Sequence, residues 1–211
     1  KIKLIVDKLL QGQSEVEERQ QVETMAELVA YYKDIFTILS SCAARQLEEV
    51  TFRRGVVLAE DLASNAVRYL KKVSRKVNLS LELVVEAEDV KMTGDSIQLH
   101  YLLENLINEA VTYPMDGKLA LRIYKEGAFV RFDFIDRRRK FTQEELNLLF
   151  YPHLSRMQKD GEDVLTGTEY LICKQIIRDH DEFAGRRGCR INAQPAEGGG
   201  GFMVWFTVPS R

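Results

Sequence analysis

Between Ser14 and about Val50 the chain carries neither proline nor glycine, and apolar residues recur at Val22, Met25, Val29, Tyr32, Phe36, Leu39 and Ala43. That 3,4 spacing lines one face of an α-helix. Ser14, with Glu17 three residues on, supplies a capping signature at its start. A helix of ~35 residues is ~50 Å long, and a second apolar line through Leu28, Ile35 and Ile38 makes the stripe too wide for one short partner. The preceding KIKLIVDKLL (1 to 10) puts Ile2, Ile5, Val6, Leu9 and Leu10 on one helical face before QGQS breaks it. A helical hairpin paired with a second copy of itself would cover the stripe; an intramolecular bundle is the alternative.

The pattern then changes from helical to mixed. EVTFRRG (49 to 55) reads as a strand, Val57 to Arg75 as an amphipathic helix, and NLSLELVVEAE (78 to 88) as an alternating strand. A boundary near residue 47 follows, giving a helical segment at 1–46 and a second domain at 47–211. Asp95 caps a predicted helix that runs to about Tyr113 and is stopped by Pro114. Strands at 118 to 125 and 128 to 136 meet at a turn containing Gly127, and Thr142 with Glu145 forms a capping box for a helix ending at Phe150. Residues 151 to 166 read as a polar loop, 167 to 182 as a helix, and 187 to 194 and 201 to 208 as final strands around the Gly198 to Gly201 run. Because hairpins dominate the strand pairing, the expected class is α+β, a two-layer sandwich preceded by a helical hairpin, and not a doubly wound sheet.

Composition narrows the function. A formal net charge of -2 offers no global field for nucleic acid or an anionic membrane, and Arg186, Arg187 and Arg190 are too few to build a reading surface. The three cysteines, Cys42, Cys173 and Cys189, show no CxxC or Cys/His spacing, so they read as buried thiols. No apolar run reaches the ~18 residues that span a bilayer, and a start on Lys1 in mid-pattern suggests a piece of something longer. The expected location is the cytoplasm, alone or as the cytoplasmic part of a membrane-anchored protein.

Three motifs carry a resemblance. LHYLLENLINEA (99 to 110) is similar to the N box L-x-x-L-L-x-N-L-L-x-N-A, with Asn105 at the first Asn position and Glu109 at the second. FVRFDFID with RRRKFTQEELNLLF (129 to 150) resembles the G1 region V-x-V-x-D-x-G-x-G-I-P-x-E-x-L-x-x-I-F. LTGTEYLICKQIIRDHDE (165 to 182) resembles the G2 region G-T-G-L-G-L-x-I-V-K-x-I-V-x-x-H-G-G, keeping Thr166, Gly167, Lys174 and His180. From about residue 47 onward the chain thus resembles the Bergerat-type (GHKL) ATP-binding domain of sensor histidine kinases, and the helical segment before it resembles their dimerisation and phosphotransfer hairpin.

The resemblance implies ATP and Mg as cofactors. It makes Asp136 the adenine-binding residue and places Glu109 at the metal, with Asn105, Arg138, Lys140, Thr166 and Gly167 around the nucleotide. A rival register, Glu104 with Asn108, lies ~100° away around the helix, and Asn105 with Glu109 is preferred. Yet Arg138 and Lys140 stand where the two G1 glycines belong, and Leu165 and Glu169 replace two G2 glycines. Glycine lets the backbone approach phosphate, and a helix N-terminus holding Glu169 disfavours a triphosphate. Arg137 to Lys140 read as a solvated basic turn; the alternative is a plug in the former phosphate region. His100, His153 and His180 all lie inside the ATPase-like domain, so none sits at the acceptor position, and His180 reads as a packing or cap residue.

Two functions compete. One is a signalling pseudokinase that dimerises through its N-terminal helices and couples an upstream sensor domain or a response regulator. The other is a working histidine kinase whose phosphoacceptor lies upstream and whose Mg-ATP site is atypical.

Overall fold

Asp95 sets the register of the domain's longest helix because its carboxylate accepts the backbone N–H groups of Ile97 and Gln98, two donors that the first helical turn would otherwise leave unmet. Its other oxygen accepts the Arg53 N–H at 2.8 Å, tying the incoming chain to the same point. The computed structural model describes residues 51–74, 78–86, 89–113, 115–151, 155–159, 162–166, 168–198 and 200–211, with Val22, Met25, Val29, Tyr32, Phe36 and Ser40. Those last six are helical, as the 3,4 spacing predicts, and Val22, Val29, Tyr32 and Phe36 are exposed. The remainder of the predicted hairpin, Cys42, His153 and Gly167 lie outside the described residues.

In chain order the elements are β1 (Gly55–Leu58), α1 (Ala59–Val73), β2 (Leu79–Val85), β3 (Lys91–Gly94), α2 (Ser96–Thr112), β4 (Gly117–Glu126) and β5 (Phe129–Asp136). Then follow α3 (Gln143–Leu148), β6 (Ser155–Lys159), β7 (Glu162–Thr166), α4 (Thr168–Phe183), β8 (Ile191–Pro195) and β9 (Phe202–Pro209). Five strands form one sheet in the order β2-β4-β5-β9-β8, parallel between β2 and β4 and antiparallel elsewhere; β1 pairs antiparallel with β3. This is the α+β class expected. Thr51–His153 and Glu169–Arg211 make up one compact unit; β6 and β7 belong to another and pair antiparallel with each other, Ser155 opposite Thr166.

The period of two decides which strand residues go inside. Leu119, Leu121 and Ile123 of β4, Val130, Phe132 and Phe134 of β5, and Val204, Phe206 and Val208 of β9 are buried on one face. The rings of Phe132 and Phe206 stack at 4.6 Å between centroids, a contact worth ~0.5–1.5 kcal/mol beyond burial. Leu62, Ala63, Ala66 and Leu70 of α1, Leu99, Leu102, Leu103, Leu106 and Ile107 of α2, and Ile172, Cys173, Ile176 and Ile177 of α4 supply the buried helical stripes. Cys173 and Cys189 are buried thiols, and burial pushes both upward, Cys189 to about 12.

Several predicted boundaries shift. EVTFRRG is not a strand over Thr51–Arg54; β1 starts at Gly55, where pairing with Gly94 begins, and Phe52 instead packs edge-on against His180 at 5.0 Å. β3 was not expected, and the polar loop at 151 to 166 contains the β6–β7 hairpin.

His180 is a core residue. Its Nε2 accepts the Asp95 N–H at 3.0 Å, so the ring proton sits on Nδ1 and is donated to the Ile176 carbonyl at 2.8 Å. Burial disfavours the imidazolium and lowers the pKa below 6.5, outweighing the Ile176 carbonyl and Asp95, which act the other way. The unfolded chain therefore takes a proton that the folded chain refuses. Stability is full above about pH 6.5 and falls as pH drops through that value. Thermal midpoints measured from about pH 7.5 to about 5.5 are expected to fall more steeply for the wild type than for His180→Gln; parallel slopes would contradict this.

Candidate functional site

The alternation that buries Phe132 and Phe134 carries one residue further and turns Asp136, the last residue of β5, into the interior, where its exposure is 0%. A carboxylate without water must be paired or fully hydrogen-bonded. Oδ1 accepts the Arg138 backbone N–H at 3.0 Å and its Nε at 2.9 Å. Oδ2 accepts Arg138 Nη2 at 2.7 Å and Arg139 Nε at 3.2 Å. A carboxylate has about four lone-pair positions, and these four donors meet them all.

The Arg138 guanidinium is equally committed. Besides its two bonds to Asp136, Nη2 donates to the Ala110 carbonyl at 2.8 Å, and Nη1 to the Met115 carbonyl at 2.6 Å and, more weakly, to that of Tyr113 at 3.5 Å. Ala110 lies in the last turn of α2, whose carbonyls have no helical partner and whose own last turn holds no basic residue. Arg138 thus caps that end from outside, with a charge of the sign the helix dipole favours.

Arg139 turns inward beside it. Nη1 donates to Glu109 Oε1 at 2.8 Å and Nη2 to the Tyr170 hydroxyl at 3.4 Å, and the guanidinium stands 5.1 Å from the Phe202 ring and 5.6 Å from those of Tyr113 and Phe141. Burial raises the Glu109 pKa; Arg139 opposes that, while Glu169 and Asp136 reinforce it. Burial alone would lower the Arg139 pKa, but Tyr170, Glu109 and Asp136 outweigh it and hold the group charged.

The predicted turn is therefore not solvated throughout. Arg137 and Lys140 are exposed, Arg137 donating to the Glu197 carbonyl at 2.9 Å, whereas the side chains of Arg138 and Arg139 are each only 4% exposed. Four buried acceptor positions on Asp136, with the carbonyls around it, supply the pairing that water would supply outside.

Of the residues singled out from sequence, Glu109, Asp136 and Arg138 come together. Asn105 is buried one turn away on α2 and donates to the Tyr101 carbonyl at 2.7 Å. Asn108, from the rival register, accepts the Tyr69 hydroxyl of α1 at 2.9 Å and so faces another element. Lys140 points to solvent, Thr166 is the last residue of β7, and Lys174 donates to the Phe150 carbonyl at 3.0 Å. Arg139 and Tyr170 were missed as site residues. Arg139 follows Asp136 by three, a spacing that signals an ion pair only once the turn's direction is known.

In this arrangement the residues fit neither a nucleobase nor a divalent cation. A base amine needs a carboxylate lone pair, and Asp136 has committed its own; a cation beside Glu109 would meet the Arg139 charge. Among the described residues no group of three or more His, Cys, Asp or Glu gathers as a metal site, and no helix is long and apolar enough to cross a membrane.

Residues 94–211 match the family described as "Histidine kinase-, DNA gyrase B-, and HSP90-like ATPase". None of the curated proteins matches the chain. Among solved structures, Acinetobacter baumannii histidine kinase AdeS is similar with a TM-score of 0.66 at 14% identity, over 99% of this chain and 92% of that one. The nucleotide-free catalytic domain of histidine kinase ThkA has a TM-score of 0.60 at 20% identity, over 76% of this chain and 96% of that one. ThkA in complex with the response regulator TrrA has a TM-score of 0.75 at 17% identity, over 100% of this chain and 57% of that one. At these identities the likeness is one of fold.

Proposed function

Because the chain belongs to the histidine kinase-, DNA gyrase B- and HSP90-like ATPase family, we propose that it is a signal-transduction module of a two-component-type sensor whose ATPase domain has lost nucleotide chemistry. The observation that supports this most is the saturation of Asp136 by Arg138 and Arg139. The residue the resemblance assigns to adenine has no acceptor capacity left for it. Two further features act in the same direction: Arg138 and Lys140 at the G1 glycine positions, and Glu169 in the first turn of α4.

Calorimetric titration of the purified chain with Mg-ATP and with ADP is expected to give no heat at millimolar nucleotide. Micromolar binding that disappears in Asp136→Ala would replace this reading with that of an active kinase fragment whose acceptor histidine lies upstream.

The domain division at residue 47 belongs to the same reading, with residues 1–46 as the dimerising segment and residues 47–211 as the ATPase-like domain. Val22, Val29 and Phe36, each helical and exposed and spaced by seven, support a homodimer, since such a stripe is covered when a second helix packs on it. Light scattering is expected to give a dimer for the chain and a monomer for Val29→Glu/Phe36→Glu. A monomeric wild type would remove the dimer from the reading. The ThkA–TrrA complex makes a response regulator the partner class to try first, with an upstream sensor domain second. The expected location is the cytoplasm.

A further inference from the structure

The surroundings of Asp136 are unusual in that every donor of one side chain is matched by an acceptor, drawn from three segments of the fold. A guanidinium has five N–H donors in a rigid planar fork. Arg138 uses Nε and Nη2 in a two-point pairing with the two Asp136 oxygens, and its other donors reach the carbonyls of Ala110, Tyr113 and Met115. The acceptors come from β5, the last turn of α2 and the segment after it. The anion is fully buried, and the guanidinium side chain is 4% exposed. Gly117, at φ +152, lies against the aliphatic part of the same side chain, where a Cβ would stand 2.9 Å from Arg138 Cδ. The chain leaves a path for this arginine's stem and no room for a side chain beside it.

Such a set is more specific than a surface ion pair. A buried carboxylate selects a cation, two parallel bonds select a planar fork over an ammonium, and three carbonyls select the outward-pointing hydrogens. Resting on the nucleotide-free reading of this same site, we propose that Asp136 and the carbonyls of Ala110, Tyr113 and Met115 form a guanidinium-binding site, which the chain fills with its own Arg138 as a tethered ligand. The ligand class is the guanidinium ion and small monosubstituted guanidines. In the intact chain the tether excludes them by mass action, because a ligand on a short tether is present at a very high effective concentration.

The test is replacement of the tethered ligand by a free one. Arg138→Gly, in the full chain, is expected to melt about 10 °C below the wild type. Guanidinium chloride or methylguanidinium chloride should restore part of the loss, with a saturable midpoint on the order of millimolar, far below denaturing concentrations. Ammonium chloride and sodium chloride at equal ionic strength should restore at least fivefold less, and the wild type should show no saturable rise. A rescue that ammonium matches, or no rescue beyond the sodium control, overturns the site. If Arg138→Gly does not fold, the intact chain still decides the matter by ¹⁵N–¹H spectroscopy of its arginine side chains. The Nε–H resonance that disappears in Arg138→Lys should exchange with water at least tenfold more slowly than that of exposed Arg187; equal exchange overturns the site. Heat from Mg-ATP in the wild type would instead sink the nucleotide-free reading, so the two failures are separately visible.

Discussion

Replacing Arg139 with methionine is expected to lower the stability of the domain by about 3–5 kcal/mol, the usual cost of removing one partner from a buried ion pair. Arg139 is the only cation among the described residues that bonds both Glu109 and Asp136, and all three side chains are almost wholly buried. Without it Glu109, whose pKa burial, Glu169 and Asp136 already raise, must either hold an unpaired charge in a dry site or take up a proton on folding, and either costs stability. Methionine suits the space chemically, since Tyr113, Phe141 and Phe202 surround the guanidinium and a thioether packs well against aromatic rings. The loss should therefore come from the orphaned Glu109 carboxylate, since Asp136 keeps its three bonds from Arg138, and not from a cavity. Adding Glu109→Gln to Arg139→Met should recover a large part of it, because a neutral, well-packed replacement of a buried pair is often tolerated. Urea unfolding of the wild type, both single variants and the double variant gives the coupling between the two positions. A coupling below about 0.5 kcal/mol, the level at which sites count as independent, would mean that Arg139 stabilises the domain by some other route.

The second large effect is expected at Gly201, just before β9. Its φ is +82, and an added Cβ would collide with the Asp136 carbonyl and the Arg137 Cα, both backbone atoms that cannot rotate away. Strand β9 and the end of β5 pair here, Phe202 opposite Asp136, so relief would require the sheet to open at the buried carboxylate. Gly201→Ala is expected to cost about 2–4 kcal/mol from left-handed strain and close contact together. Gly198 provides the control within the same loop. It has a similar φ of +83 but nothing within 4 Å of its added Cβ, so Gly198→Ala should cost only about 1 kcal/mol. Equal thermal midpoints for the two variants would show that the contact with Asp136 and Arg137 contributes little.

The parts of this fold that were legible in the sequence are those set by neighbours along the chain. Asp95 as a helix cap and the Thr142–Glu145 box are decided within three residues and occur as read. β4 and β5 were visible because alternation over eight or more residues leaves one face apolar. β3 was not, since four residues carry little periodicity and its partner β1 starts 36 positions earlier, 91 − 55. The β6–β7 hairpin did leave a trace. Asp160–Gly161, between Lys159 and Glu162, is the kind of pair that favours a two-residue hairpin turn, but the polar composition of 151 to 166 suggested a loop.

The candidate site divides in the same way. Asp136 was found through the resemblance of residues 129 to 150 to the G1 region, in which it takes the place of the adenine-binding Asp. The inward turn of Arg138 and Arg139 was legible only as the second reading, a plug, because a basic run beside solvent is ordinarily solvated. What reverses that here is a set of acceptors drawn from residues 110, 113, 115 and 136, which only the folded chain assembles. Tyr170, which meets Arg139 from α4, was hidden for the same reason: 31 residues separate them.

The order of the main sheet has a consequence for how the protein is made. β9 is the last of the nine described strands to be synthesised, yet it lies inside the sheet, with β5 on one side and β8 on the other. Until residues 202 to 209 have left the ribosome, one edge of β5 has no partner, β8 has no sheet to join, and Phe132 and Phe134 wait for Phe206 and Val204. The nascent domain therefore cannot be completed piecemeal from its N-terminal side. A premature stop even a few residues before Phe202 would release a chain carrying an open, apolar strand edge, the form most exposed to aggregation and to quality-control proteases.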